Sequence, residues 1–157
     1  MTDERSDVIE TIYQYARGID TCDWALYRSI FTDEVTMDFE AWNQIPKHRI
    51  RADDLQNNIR LFFAGLDATQ HVMTNPIVSL DGDHARCVMY IQAYHFLHDM
   101  QPSRRYVIGG YYTDNLVRQN DMWKIASVKL DVLWTEGDFS FMHDAAERGR
   151  MRLGEVS

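Results

Sequence analysis

Three side chains of this sequence, Asp20, His71 and His95, could together move a proton. When a carboxylate holds one ring nitrogen of a histidine, the tautomer is fixed and the other nitrogen is free to accept a proton. That is general-base chemistry, suited to a proton beside a carbonyl or on the carbon next to a leaving group. On a helical wheel at 100° per residue, Ile9, Tyr13, Ala16 and Asp20 fall within about 60° of one another. A helix running that far would project a carboxylate from its core-facing stripe. A lone buried carboxylate is costly, so it needs a partner or a wet cavity. The other reading ends the helix at Gly18 and makes Asp20 a cap for the next one. His71 opens a strand in Asp67-Ala-Thr-Gln-His71-Val-Met-Thr-Asn75 and is the natural partner for Asp20, although a histidine in that place is also at home as a hydrogen-bonded structural residue. His95 alternates with Ala85, Cys87, Met89, Ile91, Ala93 and Leu97, the more apolar face of its strand, which should line a core or a pocket. A satisfied core histidine fits that position too. His48, His84, His98 and His143 stand in polar or turn-like context and read as solvated.

The elements that must position these groups change character halfway along the chain. Ile9, Ile12, Tyr13, Ala16 and Ile19 recur at helical spacing, Trp24, Tyr27, Ile30 and Phe31 repeat the pattern after a break at 21–23, and Leu55, Ile59, Phe62 and Leu66 mark a third helix. Asp53 is a candidate N-cap for that third helix and Gly65 lies near its end. Val35 to Trp42 alternates like a short strand. Beyond it the spacing predicts strands at 69–80, 84–99, 104–118 and 122–135. They are separated by the turns Asp81-Gly82-Asp83 and Gln119-Asn120-Asp121, with a bulge or bend at Gly109-Gly110. Helices followed by an antiparallel meander predict an α+β fold, helices packed on one face of a curved sheet. We expect one domain over 1–135 and a tail over 136–157 that caps the sheet or reaches a neighbouring subunit.

The chain has 157 residues, of which 45% are hydrophobic and 25% charged, the composition of a packed globule. Sixteen basic against 24 acidic residues give a net charge of −8. Such a surface repels phosphate, so neither nucleic acid nor an anionic membrane is an expected partner. No apolar run approaches the roughly 20 residues of a membrane span, and Met1 to Arg5 lacks the pattern of a secretion signal. Two cysteines without CxxC spacing make no disulfide framework, which points to a reducing, cytoplasmic setting. Neither a Gly-x-Ser-x-Gly elbow nor a phosphate-binding glycine loop is present.

Four stretches together resemble the nuclear transport factor 2-like superfamily and, within it, the polyketide cyclase-like (SnoaL-like) branch. They are Ile12 through Asp20, Trp24 through Glu34, Ala68-Thr-Gln-His71 followed by Asn75, and Gly110 through Leu116 with Trp123-Lys124-Ile125. The branch contains scytalone dehydratase, bile acid 7α-dehydratase and hexachlorocyclohexane dehydrochlorinase. The resemblance implies a cone-shaped α+β barrel around a deep apolar pocket. It also implies an aspartate–histidine dyad, matched by position at Asp20 and His71. Tyr15 stands where the bile acid enzyme has a tyrosine, and His95 where scytalone dehydratase has a second pocket histidine. The late arginine of two of these enzymes has no match; the last strand offers Lys129 and Asp131 instead. Tyr15 lies about 140° from Asp20 on the wheel, so the two converge only if the helix kinks or ends near Gly18.

The expected function is therefore a cofactor-independent elimination or isomerisation of a small, apolar, cyclic molecule. His71 would be the base, oriented by Asp20, while Tyr15 and His95 would hydrogen-bond a developing oxyanion or protonate a departing hydroxyl. Apolar character assigns Trp42, Met73, Met89, Ile91, Tyr111 and Leu133 to the pocket wall, with Lys129 and Asp131 as further substrate contacts. No metal and no cofactor are expected. Two histidines and an aspartate are also the ligand set of a non-haem iron centre, but the compact H-x-D/E spacing is missing. The superfamily also holds binding modules, the structural small subunits of ring-hydroxylating dioxygenases, and steroid isomerase-like enzymes in which a histidine would be dispensable. Tyr90, Tyr94, Phe96 and Tyr112 are expected on an outer apolar face, and the resemblance implies a homo-oligomer, trimer or dimer.

Overall fold

The computed structural model describes residues 3–98 and 102–155. Helix α1 (Glu4–Asp20) starts at Asp3, whose carboxylate accepts from the Arg5 amide, and α2 (Trp24–Ser29) starts at Asp23, which caps the Leu26 amide. Strand β1 (Phe31–Asp38), the one-turn α3 (Glu40–Asn43), β2 (His48–Arg51) and α4 (Ala52–Ala64) follow. The second half is β3 (Ala68–Asp81), β4 (His84–Leu97), β5 (Arg104–Gln119), β6 (Met122–Glu136) and α5 (Ser140–Arg152). The six strands form one sheet in the order β2-β1-β6-β5-β4-β3, antiparallel except where β1 runs parallel to β6. The architecture is the expected α+β one, with the core between the inner sheet face and the helices.

Several elements depart from the sequence reading. Phe31 opens β1 instead of closing the second helix, and the strand expected to reach Trp42 stops at Asp38, two residues ahead of α3. Asp53 sits inside the first turn of α4 and pairs with Arg28 at 2.5 Å, so it is not the cap; Arg51 holds that position without a side-chain bond. The expected end of the second strand of the meander at Asp99 lies outside the described residues. The register shift expected at Gly109-Gly110 is present. The extra residue is Leu133 on the partner strand, between Val132 opposite Gly110 and Trp134 opposite Gly109.

The segment after β6 carries α5, which packs on α4. The two backbones cross at Gly65 and Gly149. A Cβ at Gly65 would stand 1.8 Å from the Ala145 carbonyl oxygen, and one at Gly149 would stand 1.7 Å from that of Leu61. Phe141 of α5 is buried, and Arg148 and Arg152 reach Asp67 ahead of β3. Among the described residues no helix is long and apolar enough to cross a membrane.

Candidate active site

Helix α1 runs unbroken through Gly18. That glycine lies where α2 crosses: a Cβ there would stand 3.0 Å from the Tyr27 backbone nitrogen and Cβ. The helix stops only at Asp20, where Thr21, Cys22 and Asp23 return their amides to Arg17, Ile19 and Gly18, and Cys22 turns into the left-handed region at φ 55°. Asp20 is therefore a last-turn helical residue, and Asp23 does the capping that was its alternative role. The buried stripe of α1 is Val8, Ile12, Tyr15 and Ile19, rotated from the one expected, and Tyr13 is 44% exposed. Tyr15 thus points into the core while Asp20 stands at the edge of the buried face, over β3.

There the two groups converge without any kink. Asp20 Oδ2 accepts the backbone N–H of His71 at 2.8 Å, and Oδ1 lies 2.7 Å from His71 Nδ1. Nδ1 must carry a proton to donate to the carboxylate, so Nε2 is the bare nitrogen. The His71 side chain is 4% exposed. The Tyr15 ring meets the His71 ring edge-on at 6.4 Å.

Register places the second histidine. His71 pairs with Ala93 of β4, and His95, two residues on, shares the same face, giving perpendicular rings 5.7 Å apart. His95 Nδ1 lies 3.1 Å from the Tyr106 carbonyl oxygen, an acceptor only, so here too Nδ1–H donates and Nε2 is bare. Burial, then the neighbouring His71, lowers the His95 pKa to about 4. In that tautomer the ring proton is held by the Tyr106 carbonyl and the ring offers Nε2 as an acceptor.

Both histidines line a cavity of about 360 Å³, walled by Tyr15 and Ile19 of α1, by Ile59, Phe62 and Phe63 of α4, and by Ile108, Tyr112 and Leu130 of β5 and β6. Phe39, Trp42, Asn43 and Ile45 close one end with Met142 of α5, and Asn58 adds an amide. Among the described residues no lysine or arginine lines it. Trp42 is held by a hydrogen bond from Nε1 to the Tyr106 hydroxyl, 3.2 Å.

Of the expected pocket wall, only Trp42 lines this cavity. Met73, Met89 and Ile91 face inward but lie in the packed core, with their side chains spent on neighbours. Tyr111 lies on the outer face, because it alternates with Tyr112, Asp114 and Leu116, which are buried on the inward face of β5. Lys129 and Asp131 alternate with buried Val128 and Leu130, so they also face outward, paired to each other at 2.7 Å. Leu133, the bulge residue, is 65% exposed. Tyr112, expected outside, is buried in the cavity wall, whereas Tyr90, Tyr94 and Phe96 do face outward. The missed wall residues Phe62 and Phe63 stood in view on the third helix. Strand parity carried forward from His95 through the β4–β5 register would have selected Ile108 and Tyr112 over Tyr111. His48, His84, His98 and His143 are exposed.

Among the described residues, no group of three or more histidine, cysteine, aspartate or glutamate side chains is placed to hold a metal ion.

The SnoaL-like domain family matches residues 1–129. Among solved structures, the Kfla4162 protein of Kribbella flavida superposes with a TM-score of 0.80 at 31% identity, over 90% of this chain and 95% of that one. Two Novosphingobium aromaticivorans proteins share the fold. One, provisionally named an aromatic ring hydroxylase, has a TM-score of 0.76 at 20% identity over 88% and 95% of the two chains. The other, provisionally named a scytalone dehydratase, has 0.74 at 16% over 86% and 87%. Hexachlorocyclohexane dehydrochlorinase has the fold as well, with a TM-score of 0.70 at 17% identity, over 86% and 88%. No curated protein matches the chain in sequence.

Proposed function

Since the chain belongs to the SnoaL-like family, whose fold is shared by dehydratases and dehydrochlorinases, we propose that it is a cofactor-independent lyase or isomerase. It acts on a small, apolar, cyclic molecule, in the manner of a dehydratase or dehydrohalogenase. The observation that carries this reading is the His71 imidazole. It is buried, held at Nδ1 by a carboxylate, and it lines an apolar cavity with no hydrogen-bond partner at Nε2 among the described residues.

His71 Nε2 takes a proton from a substrate carbon, and Asp20 stabilises the imidazolium that forms. The Tyr15 hydroxyl, whose pKa burial pushes up to about 12, keeps its proton and donates to the oxygen or leaving group where negative charge collects. His95, with its bare Nε2, accepts from a substrate hydroxyl and so orients it. The apolar wall excludes water and disfavours charged substrates. The same reading carries a homo-oligomer, dimer or trimer, joined through the outer sheet face that presents Tyr90, Tyr94 and Phe96, and a protein that works in the cytoplasm.

The test is a panel of neutral cyclic β-hydroxy ketones and chlorinated rings, assayed for loss of water or chloride by the wild-type protein, His71→Ala and Asp20→Asn. Turnover that disappears in both variants while ligand binding persists supports the reading. Full turnover in either rejects the dyad. Ligand binding with no turnover in the wild type as well would favour a carrier or an accessory subunit.

A further inference from the structure

The cavity that holds the dyad stops at α3, where a second hollow adjoins it. This one, of about 610 Å³, is walled by Tyr106, Val132, Thr135 and Phe139. Trp42 and Asn43 line both. Trp42 is fixed between them from several sides. Its indole N–H, a donor only, is given to the Tyr106 hydroxyl. Its ring meets Phe39 at 6.3 Å and Phe139 at 5.6 Å, both edge-on. Tyr106 cannot follow a moving indole. It is 2% exposed, its ring stacks on Phe141 at 6.1 Å, and its backbone carbonyl holds His95. The chain around Trp42 is fixed as well. Gln44 ends α3 in the left-handed region at φ 60°, which a residue other than glycine adopts only where its surroundings demand it. Asn43 Oδ1 accepts the Ile45 amide at 3.0 Å and locks the turn that follows.

We propose that Trp42 is a specificity-determining residue. It closes the reaction chamber against the hollow beside α3 and so limits the substrate to a compact ring system, while the hollow is a latent subsite for a neutral extension of that ring. The proposal rests on the reading of the chamber as a substrate site and adds to it an upper limit of size.

The limit follows from the volumes. Packed to the density of a protein interior, a chamber of about 360 Å³ takes roughly 270 Å³ of ligand. Two or three fused rings stay inside that limit and a four-ring skeleton exceeds it. With the indole in place, the longer molecule can enter only by breaking the bond to Tyr106 and leaving a half-buried N–H without its acceptor. The hollow itself would accept the extension. Among the described residues no charged side chain lines it, and Val132, Phe139 and the indole supply apolar surface. Asn43 adds a donor, since its oxygen is engaged by Ile45 and its amide hydrogens are left for an oxygen at the far end of the ligand.

The probes are 1-tetralone, a compact bicyclic ketone, and androst-4-ene-3,17-dione, a rigid four-ring diketone, with affinities read by calorimetry. The wild type should bind the tetralone and hold the steroid at least about tenfold more weakly. Trp42→Ala should bind the steroid at least about tenfold more tightly than the wild type does, with its affinity for the tetralone changed by less than about threefold. Adding Thr135→Trp, which fills the hollow from its exposed rim and leaves the chamber lining untouched, should take that gain back. Tyr106→Phe removes the acceptor of the indole N–H while keeping the carbonyl that holds His95. It should show part of the gain, so the claim does not hang on one variant folding. A wild type that binds neither ketone, or the steroid as tightly as the tetralone, overturns the proposal. So does a gain that is missing from both Trp42→Ala and Tyr106→Phe, or one that survives Thr135→Trp. The experiment reads binding alone, so failure of the dyad in a turnover assay and failure of the partition here are separate results.

Discussion

At the scale of single residues, the two histidines resemble each other and yet have different partners. Each gives its Nδ1 proton away, His71 to a carboxylate and His95 to a backbone carbonyl. Only His71 has a negative partner to stabilise the imidazolium that proton abstraction creates. We therefore expect His71→Ala and Asp20→Asn each to lower kcat by about 10²–10⁴-fold, with ligand affinity changed far less, as read by steady-state kinetics and calorimetry. His95, neutral and buried, makes a different prediction. Its folded pKa, about 4, lies below the ordinary 6.5. Its contribution to stability is thus fully present above the unfolded pKa and is lost as pH falls through the folded one, about 3 kcal/mol in all. Chemical denaturation between about pH 4 and pH 7 should show that slope in the wild type, and His95→Phe should flatten it. Lys129 and Asp131 supply the opposite control. They pair on the outer face, so Lys129→Ala should leave kcat/KM within about twofold of the wild type. The Asp20–His71 contact was legible from residue types and motif position. The rotamers that give one histidine a carboxylate partner and the other a backbone carbonyl were not, because the second depends on a residue eleven positions further along the chain.

At the scale of elements, alternation carried the reading a long way. The inward face of β4 was legible residue by residue, and so were the bounds of the meander strands to within one or two positions. The wall residues failed where a rule of parity met an irregularity. Tyr111 and Leu133 were assigned by apolar character alone, but β5 turns its even-numbered residues inward and the β6 bulge places Leu133 toward solvent. On α1 the stripe was misjudged by less than a third of a turn, enough to put Tyr13 inside and to leave Tyr15 and Asp20 apparently unable to meet. They meet because His71 comes up between them on β3. The α4–α5 crossing had no signature in hydrophobic spacing; its mark is the glycine pair. Gly65→Ala should cost about 1–3 kcal/mol or more, since the added methyl would drive into the Ala145 carbonyl oxygen, and thermal denaturation will measure it. Because Met142 of α5 closes the cavity, the same variant should also raise KM.

At the scale of the whole molecule, the sheet order matters more than any single strand. Bringing β1 beside β6 in parallel sets α3 and Trp42 at one end of the cavity, while β3 and β4 bring the histidines to its wall. That crossover joins residues about ninety positions apart, and no local pattern could announce it; the family resemblance supplied the closed cone that periodicity alone left open. The result is an apolar chamber with no lysine or arginine lining it among the described residues, inside a protein of net charge −8. Adding a carboxylate to an otherwise accepted ligand should therefore weaken binding by about a hundredfold or more, which competition calorimetry would show. The central claim is that Asp20 and His71 act as one base on a carbon-bound proton. Its most direct measurement is deuterium uptake from D2O into a neutral cyclic ketone at the carbon beside the carbonyl, followed by mass spectrometry for the wild-type protein, Asp20→Asn and His71→Ala. The account predicts uptake catalysed by the wild type and reduced to the uncatalysed rate in both variants. Uptake in either variant as fast as in the wild type would contradict it.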